Sequence, residues 1–181
     1  MIEGLRRFPL RRFEDERGWF SELARASALP KPIRQANLAR SRRGVIRALH
    51  YHERGQDDLF VCLEGMVRVV VLDRASGETF SEDIGDENPV AVYVPGTHAH
   101  GYEALSDCLF CYLVTEEYDP ADPDEHGVPW DDPRVAQMPI SGVFHMYGVK
   151  SFARFLDALP GVKTETQGDV LHVTAGTDTH P

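Results

Sequence analysis

The stretch Leu59-Phe60-Val61-Cys62-Leu63-Glu64-Gly65-Met66-Val67-Arg68-Val69-Val70-Val71-Leu72 sets two apolar runs, rich in β-branched residues, on either side of a glycine. Both runs have strand length and are too short for a buried helix. Gly65 supplies the backbone angle of a tight turn, so the pair reads as a β-hairpin. Farther along, Ala91-Val92-Tyr93-Val94 stops at Pro95-Gly96, a turn signal, and Cys108 through Val114 is another continuous apolar run. Short strands spaced by turns, with no long helical pattern among them, predict an all-β sandwich or barrel.

The helical signals are short and peripheral. Ser21–Ala26 is one; Val149–Leu156 is the other, with Val149, Phe152, Phe155 and Leu156 on one face and Gly161 at its end. Residues 118–133, rich in Pro, Asp and Gly, read as an ordered loop with few ladder bonds, and Thr174 to Pro181 as a loose tail.

A chain of 181 residues with 42% hydrophobic and 27% charged content fits one domain, 1–181, with a substantial core. No apolar run approaches the ~20 residues needed to span a bilayer, and the first residues lack the apolar segment of a secretory signal, so no membrane role is expected. Cys62, Cys108 and Cys111 are odd in number and lie in apolar runs; they read as buried free thiols of a cytoplasmic protein rather than a redox or zinc set. The net charge of −10 is uneven: residues 1–54 carry 13 Lys/Arg against 6 Asp/Glu, and residues 55–181 carry 6 against 23. Nucleic acid is excluded as a partner for so acidic a whole. The basic first third suits an anionic ligand such as a diphosphate, or else pairs with the acidic remainder.

The chemistry concentrates in Arg47-Ala48-Leu49-His50-Tyr51-His52. Side chains alternate across a strand, so His50 and His52 share a face. Asp58 begins the next strand, seven residues before Gly65, and His100 follows the Pro95-Gly96 turn; His98 shares its face if that segment is extended. His50, His52, Asp58 and His100 make a plausible 3-His-1-carboxylate set for Fe, Mn, Ni or Zn. The same imidazoles suit acid–base work, and the residues alone leave both readings open. Tyr118 reads either as an amphipathic cap on the core or as a proton donor to a carbanion.

Several segments together resemble the dTDP-4-dehydrorhamnose 3,5-epimerase family. Asp15-Glu16-Arg17-Gly18-Trp19-Phe20 is similar to its D-x-RG-x-F motif. Gln35-Ala36-Asn37, Ser41 and Gly44-Val45-Ile46-Arg47-Ala48-Leu49-His50-Tyr51 resemble its Q-x-N…S…GV-x-RGLHY segment. Ala99-His100-Gly101-Tyr102, Tyr118-Asp119-Pro120 and Trp130-Asp131-Asp132-Pro133 resemble three further elements, so the match runs from about residue 10 to residue 139. The resemblance implies a cupin-type double-stranded β-helix, with 140–181 a divergent C-terminal extension. It implies a dTDP-4-keto-6-deoxyhexose 3,5- or 3-epimerase of deoxysugar or surface polysaccharide biosynthesis, working without a cofactor on a nucleotide-diphosphate sugar. It makes His50 the base and Tyr118 the acid, and assigns Arg17, Phe20, Glu22, Gln35, Asn37, Arg47 and His100 to substrate binding. Family members are homodimers whose N-terminal part reaches the neighbouring site, which would put Arg17 in trans.

The departures from the family lie in the site. Asp58, in Gln56-Asp57-Asp58-Leu59, stands where the family has a lysine, and His52 where it commonly has an amide. After Met138-Pro139 no aspartate appears before Asp157, so the family's acidic partner for His50 has no counterpart. The resulting alternatives are a metal-dependent cupin enzyme, holding a divalent metal on His50, His52, Asp58 and His100, and a non-catalytic sugar-nucleotide binding protein.

Overall fold

The apolar runs form strands because each has somewhere to bury both of its faces. The computed structural model describes residues 2–128, 133–134, 143–144, 162–167 and 170–175. Two compact units are distinguished, Met1–Val143 and Phe144–Pro181. The first opens with β1 (Arg6–Pro9), β2 (Arg12–Asp15) and β3 (Gly18–Ser21), followed by a 3-10 turn at Ala26–Ala28. Next come β4 (Gln35–Ser41), β5 (Val45–Tyr51), β6 (Asp57–Glu64) and β7 (Met66–Leu72). The chain continues through β8 (Thr79–Gly85), β9 (Val90–Pro95), β10 (Ala99–Ala104), β11 (Cys108–Val114) and the short β12 (His126–Gly127). A two-residue strand, β13, lies at Val143–Phe144.

Two sheets make the first unit a cupin-type jelly roll. One runs in the order β1-β9-β6-β11-β4 and the other β12-β5-β10-β7-β8. Their facing sides share one core that includes Phe60, Val67, Val69, Val71, Val92, Val94, Tyr102 and Phe110. The other side of the first sheet buries Leu59, Val61, Ala91, Tyr93 and Cys111 under Phe8, Leu10, Leu23 and Leu29. So β6 is covered on both faces, which is why its sequence is apolar without alternation. Each such Leu, Val or Phe stabilises the fold by about 1.5–3 kcal/mol relative to exposure.

The expected hairpin across Gly65 does not form. β6 pairs with β9 and β11, whereas β7 pairs with β8 and β10, so the chain crosses from one sheet to the other at this glycine. Gly65 has φ of 76°, and a side chain there would strike the Asp107 carbonyl and Ser106. A doubly buried strand needs neighbours on both edges within its own sheet, and a one-residue link serves a crossover as well as a hairpin.

The expected helical turn at Ser21–Ala26 is also displaced. Ser21 closes the β2–β3 pair opposite Arg12, and the helical turn follows at Ala26–Ala28. The expected helix at 149–156 and its end at Gly161 lie outside the described residues. The second unit contains an antiparallel pair, β14 (Val162–Gln167) with β15 (Val170–Ala175), so Thr174 and Ala175 are strand rather than loose tail. Among the described residues no helix is long and apolar enough to cross a membrane.

Candidate active site

Three strands bring the predicted residues together inside the first unit. β10 pairs with β5 so that His100 lies opposite His50. Arg47 and His50 are three positions apart, yet their partners Tyr102 and His100 are only two apart, so β5 carries a bulge at this point. The bulge puts Arg47 and His50 on the same inward face, where strict alternation would oppose them. Gly101 is what lets the strands close over it: a Cβ there would meet the Arg47 carbonyl and would stand 2.6 Å from Ala48 Cα. From the other sheet, Asp58 enters on the face of β6 that also carries Phe60.

One ligand-capable atom from each of His50, His52, Asp58 and His100 lies within 4.8 Å of all the others. The rings form a tight group: His50 and His100 have centroids 4.5 Å apart, His50 and His52 5.3 Å, and His100 packs on Phe60 at 5.4 Å. His100 is fully buried; its Nδ1 lies 2.8 Å from the His98 carbonyl and its Nε2 3.0 Å from Asp58 Oδ2. His52 directs Nδ1 at the Asp124 carbonyl, and Gln56 Nε2 donates to both His52 Nε2 and Asp58 Oδ1, each at 2.9 Å. A carbonyl oxygen can only accept, so Nδ1 carries the proton on His52 and on His100, and both Nε2 atoms face the carboxylate.

Burial sets the electrostatics. His50 is pushed down to about 3 by burial first and then by His100; Asp58 pulls the other way without prevailing, and His52 lowers it further. It is therefore neutral at physiological pH, well below the near-neutral titration of a free imidazole. Burial alone would raise the Asp58 carboxyl, but the hydrogen bond to His100 and the fields of the three histidines outweigh it and hold the group below its usual value.

The remaining predicted residues divide into two groups. At the barrel mouth, Gln35 donates to Asn37 Oδ1 at 2.7 Å and accepts the backbone N–H of Tyr118 at 2.8 Å. Tyr118 is 57% exposed, so its ring stands at the rim. Arg47 donates to Ser41 Oγ at 3.2 Å, and Ser41 shares a hydrogen bond of 2.9 Å with Tyr102. The second group sits on the separate β2–β3 sheet: Arg17 pairs with Asp15, Glu22 with Arg25, and Phe20 is 63% exposed. Among the described residues, no hydrogen bond or ion pair joins these three to the histidine cluster. Trp130, Asp131 and Asp132 lie outside the described residues. His98 does not share the face of His100: β10 begins only at Ala99, and the His98 ring turns to the Glu3 carbonyl at 2.9 Å and to Asp73.

Two further residues, not among those the sequence assigns to the site, contribute to it. Asp124 accepts the backbone N–H groups of Glu53 and Arg54 at 3.1 and 2.7 Å while its carbonyl holds His52, and Gln56 bridges His52 to Asp58. A separate hollow of about 400 Å³, lined by Ile2, Leu5, Arg7, Glu78, Thr79 and Phe80, contains none of the candidate residues.

Comparison with known proteins places the chain in a family. The family model for dTDP-4-dehydrorhamnose 3,5-epimerase matches residues 1–140. A spore coat polysaccharide biosynthesis protein of Bacillus subtilis is 38% identical, over 75% of this chain and 94% of its own. A dTDP-4-dehydrorhamnose 3,5-epimerase of Methanothermobacter thermautotrophicus is 36% identical, over 68% of this chain and 72% of its own. Among solved structures, the dTDP-6-deoxy-D-glucose-3,5-epimerase of Legionella pneumophila, in complex with dTDP-4-keto-L-rhamnose, superposes with a TM-score of 0.68 at 30% identity, over 77% of this chain and 81% of that one. With the jelly roll and a family match over residues 1–140, the chain belongs to the dTDP-4-dehydrorhamnose 3,5-epimerase family, whose members are isomerases.

Proposed function

We propose that this chain epimerises a dTDP-4-keto-6-deoxyhexose, at carbon 3 alone or at carbons 3 and 5, by moving protons alpha to the ketone. The observation that carries the reading is the inward, neutral His50 in the interior of a sandwich whose rim bears Gln35, Asn37, Arg47 and Tyr118. The C–H bond breaks as His50 takes the proton, and the electron pair moves onto the ketone oxygen as an enolate. The Tyr118 hydroxyl then gives a proton to the opposite face of that carbon. A lowered basicity does not disqualify His50, because the imidazolium forms beside a new negative charge that stabilises it.

Asp58 reverses the charge of the family's lysine, but it does not meet the sugar as a bare anion. His100 Nε2 occupies Oδ2 and Gln56 Nε2 occupies Oδ1. Arg47 is the cation on the same inward face as His50, suited to the diphosphate or sugar. The exposed aromatics Phe13, Trp19 and Phe20 of the β2–β3 sheet support a homodimer in which Arg17, Phe20 and Glu22 act at the partner's site. Three free, buried cysteines fit a cytoplasmic location.

The test is proton exchange by NMR with dTDP-4-keto-6-deoxyglucose in D₂O. Loss of hydrogen signal at carbon 3 or 5, slowed by roughly 100-fold or more in His50→Ala, is expected. Tight dTDP binding with both hydrogens intact would overturn the reading and leave a binding protein.

A further inference from the structure

Three imidazoles and a carboxylate gather in the interior of the sandwich, and hydrogen bonding accounts for only part of their arrangement. His52 and His100 are each pinned through Nδ1 to a backbone carbonyl, those of Asp124 and His98, which fixes the ring and turns Nε2 inward. Metal-ligating histidines are held in this way, by a carbonyl on the far nitrogen. His100 Nε2 then stands 3.0 Å from Asp58 Oδ2, a hydrogen-bonded contact in which a metal ion could take the place of the proton. Among the described residues, neither ring nitrogen of His50 makes a hydrogen bond, although it lies in the same group of rings.

We propose that His50, His52, Asp58 and His100 form a binding site for one divalent first-row transition-metal ion. The donor set is three imidazole nitrogens and one carboxylate oxygen, the chemistry that suits Zn, Ni, Co, Fe or Mn and not the all-oxygen shell of Ca or Mg. Bonds of about 2.1 Å space the ligand atoms of an octahedral ion about 3.0 Å apart when adjacent and about 4.2 Å when opposite. The present spread, within 4.8 Å, asks each side chain to close in by a fraction of an ångström. Gln56 gives up its bond to His52 Nε2 on loading and keeps the one to Asp58 Oδ1. A neutral imidazole has one lone pair, so an ion on His50 and a proton taken from substrate exclude each other. The site thus reaches beyond the epimerase reading: loading with metal switches the proposed base off.

The test uses full-length, tag-free protein stripped with chelator and titrated with Co²⁺, followed by visible absorption and calorimetry. One ion per chain is expected. Asp58→Asn and His52→Gln, both close in size to the native side chains, should each weaken binding by more than the roughly 10–100-fold that outer-shell changes cost. His98→Gln should bind as the wild type does, because that ring faces Glu3 and Asp73. Circular dichroism and thermal melting establish that each variant is folded, and either one alone is decisive. Failure of the wild type to bind at millimolar Co²⁺, or undiminished binding in a folded Asp58→Asn or His52→Gln protein, overturns the proposal. The readout needs no sugar nucleotide, so it stands or falls apart from the epimerase reading; if both hold, Co²⁺ slows proton exchange and chelator restores it.

Discussion

Asp57 and Asp58 are neighbours in sequence and face opposite sides of β6. Asp58 joins the histidines, while Asp57 accepts the Gly96 N–H at 3.0 Å and the Tyr93 hydroxyl at 2.5 Å and pairs with Lys31 at 2.9 Å. One carboxylate serves the site and the other the frame. Removing the second leaves the Tyr93 hydroxyl and the Gly96 N–H unpaired in the interior. Asp57→Ala is expected to cost about 2–4 kcal/mol in urea unfolding, with proton exchange per folded molecule unchanged. A stability equal to wild type would show that this network is not what holds the Pro95-Gly96 turn.

The bulge in β5 rests on a glycine. Gly101→Ala drives a methyl against Ala48 and the Arg47 carbonyl, and is expected to lower stability by about 1–3 kcal/mol. Thermal melting measures it. An unchanged melting temperature would mean that β5 and β10 separate without penalty.

Arg47 is expected to hold ground state and transition state alike. Arg47→Gln should raise KM for the nucleotide sugar roughly 10–100-fold and leave kcat nearly as it was. Steady-state kinetics decide; a matched fall in kcat would move Arg47 into the chemistry itself.

Acid should weaken the fold through His50. Its value is about 3 when folded and 6.5 as a free imidazole, so between those limits the unfolded chain binds more protons. Stability from this group is complete above about pH 6.5 and is lost as pH falls toward 3, by up to about 1.4 kcal/mol per unit. Urea midpoints of metal-free protein should fall with acid more steeply than those of His50→Asn. Parallel slopes would contradict the buried, neutral imidazole.

The thiols should be inert. Burial pushes Cys62 up to about 12, with Cys108 and Asp86 adding to it, and burial also raises Cys108 and Cys111. A thiol reagent at neutral pH is expected to label none of the three until the protein is unfolded. Rapid labelling of the native protein would show the core to be open.

Much of the site could be read from spacing, and the physical reasons for the remainder are specific. His50, His52, Asp58 and His100 converge as the strand periods imply, because each parity points inward once the sheets are paired. Parity misleads where a residue is added: the bulge at Ala48 turns Arg47 to the face of His50, and only two small residues, Ala48 and Gly101, mark it. The Gly65 crossover has the sequence of a hairpin because an uninterrupted apolar run does not reveal which strand lies beside it. Asp124 leaves no mark in the sequence for another reason, since it holds His52 through a backbone carbonyl that any residue type could offer.

The cluster also straddles the sandwich: Asp58 comes from the sheet of β6, and His50 and His100 come from the sheet of β5 and β10. Any bound species that ties the carboxylate to the imidazoles acts as a rivet through both plates of the molecule. By mass action, a ligand at 100 times its dissociation constant adds about 2.7 kcal/mol to the folded state. A melting curve therefore doubles as an occupancy gauge for this pocket, and a panel of ions and sugar nucleotides can be ranked by heat alone before any turnover is measured.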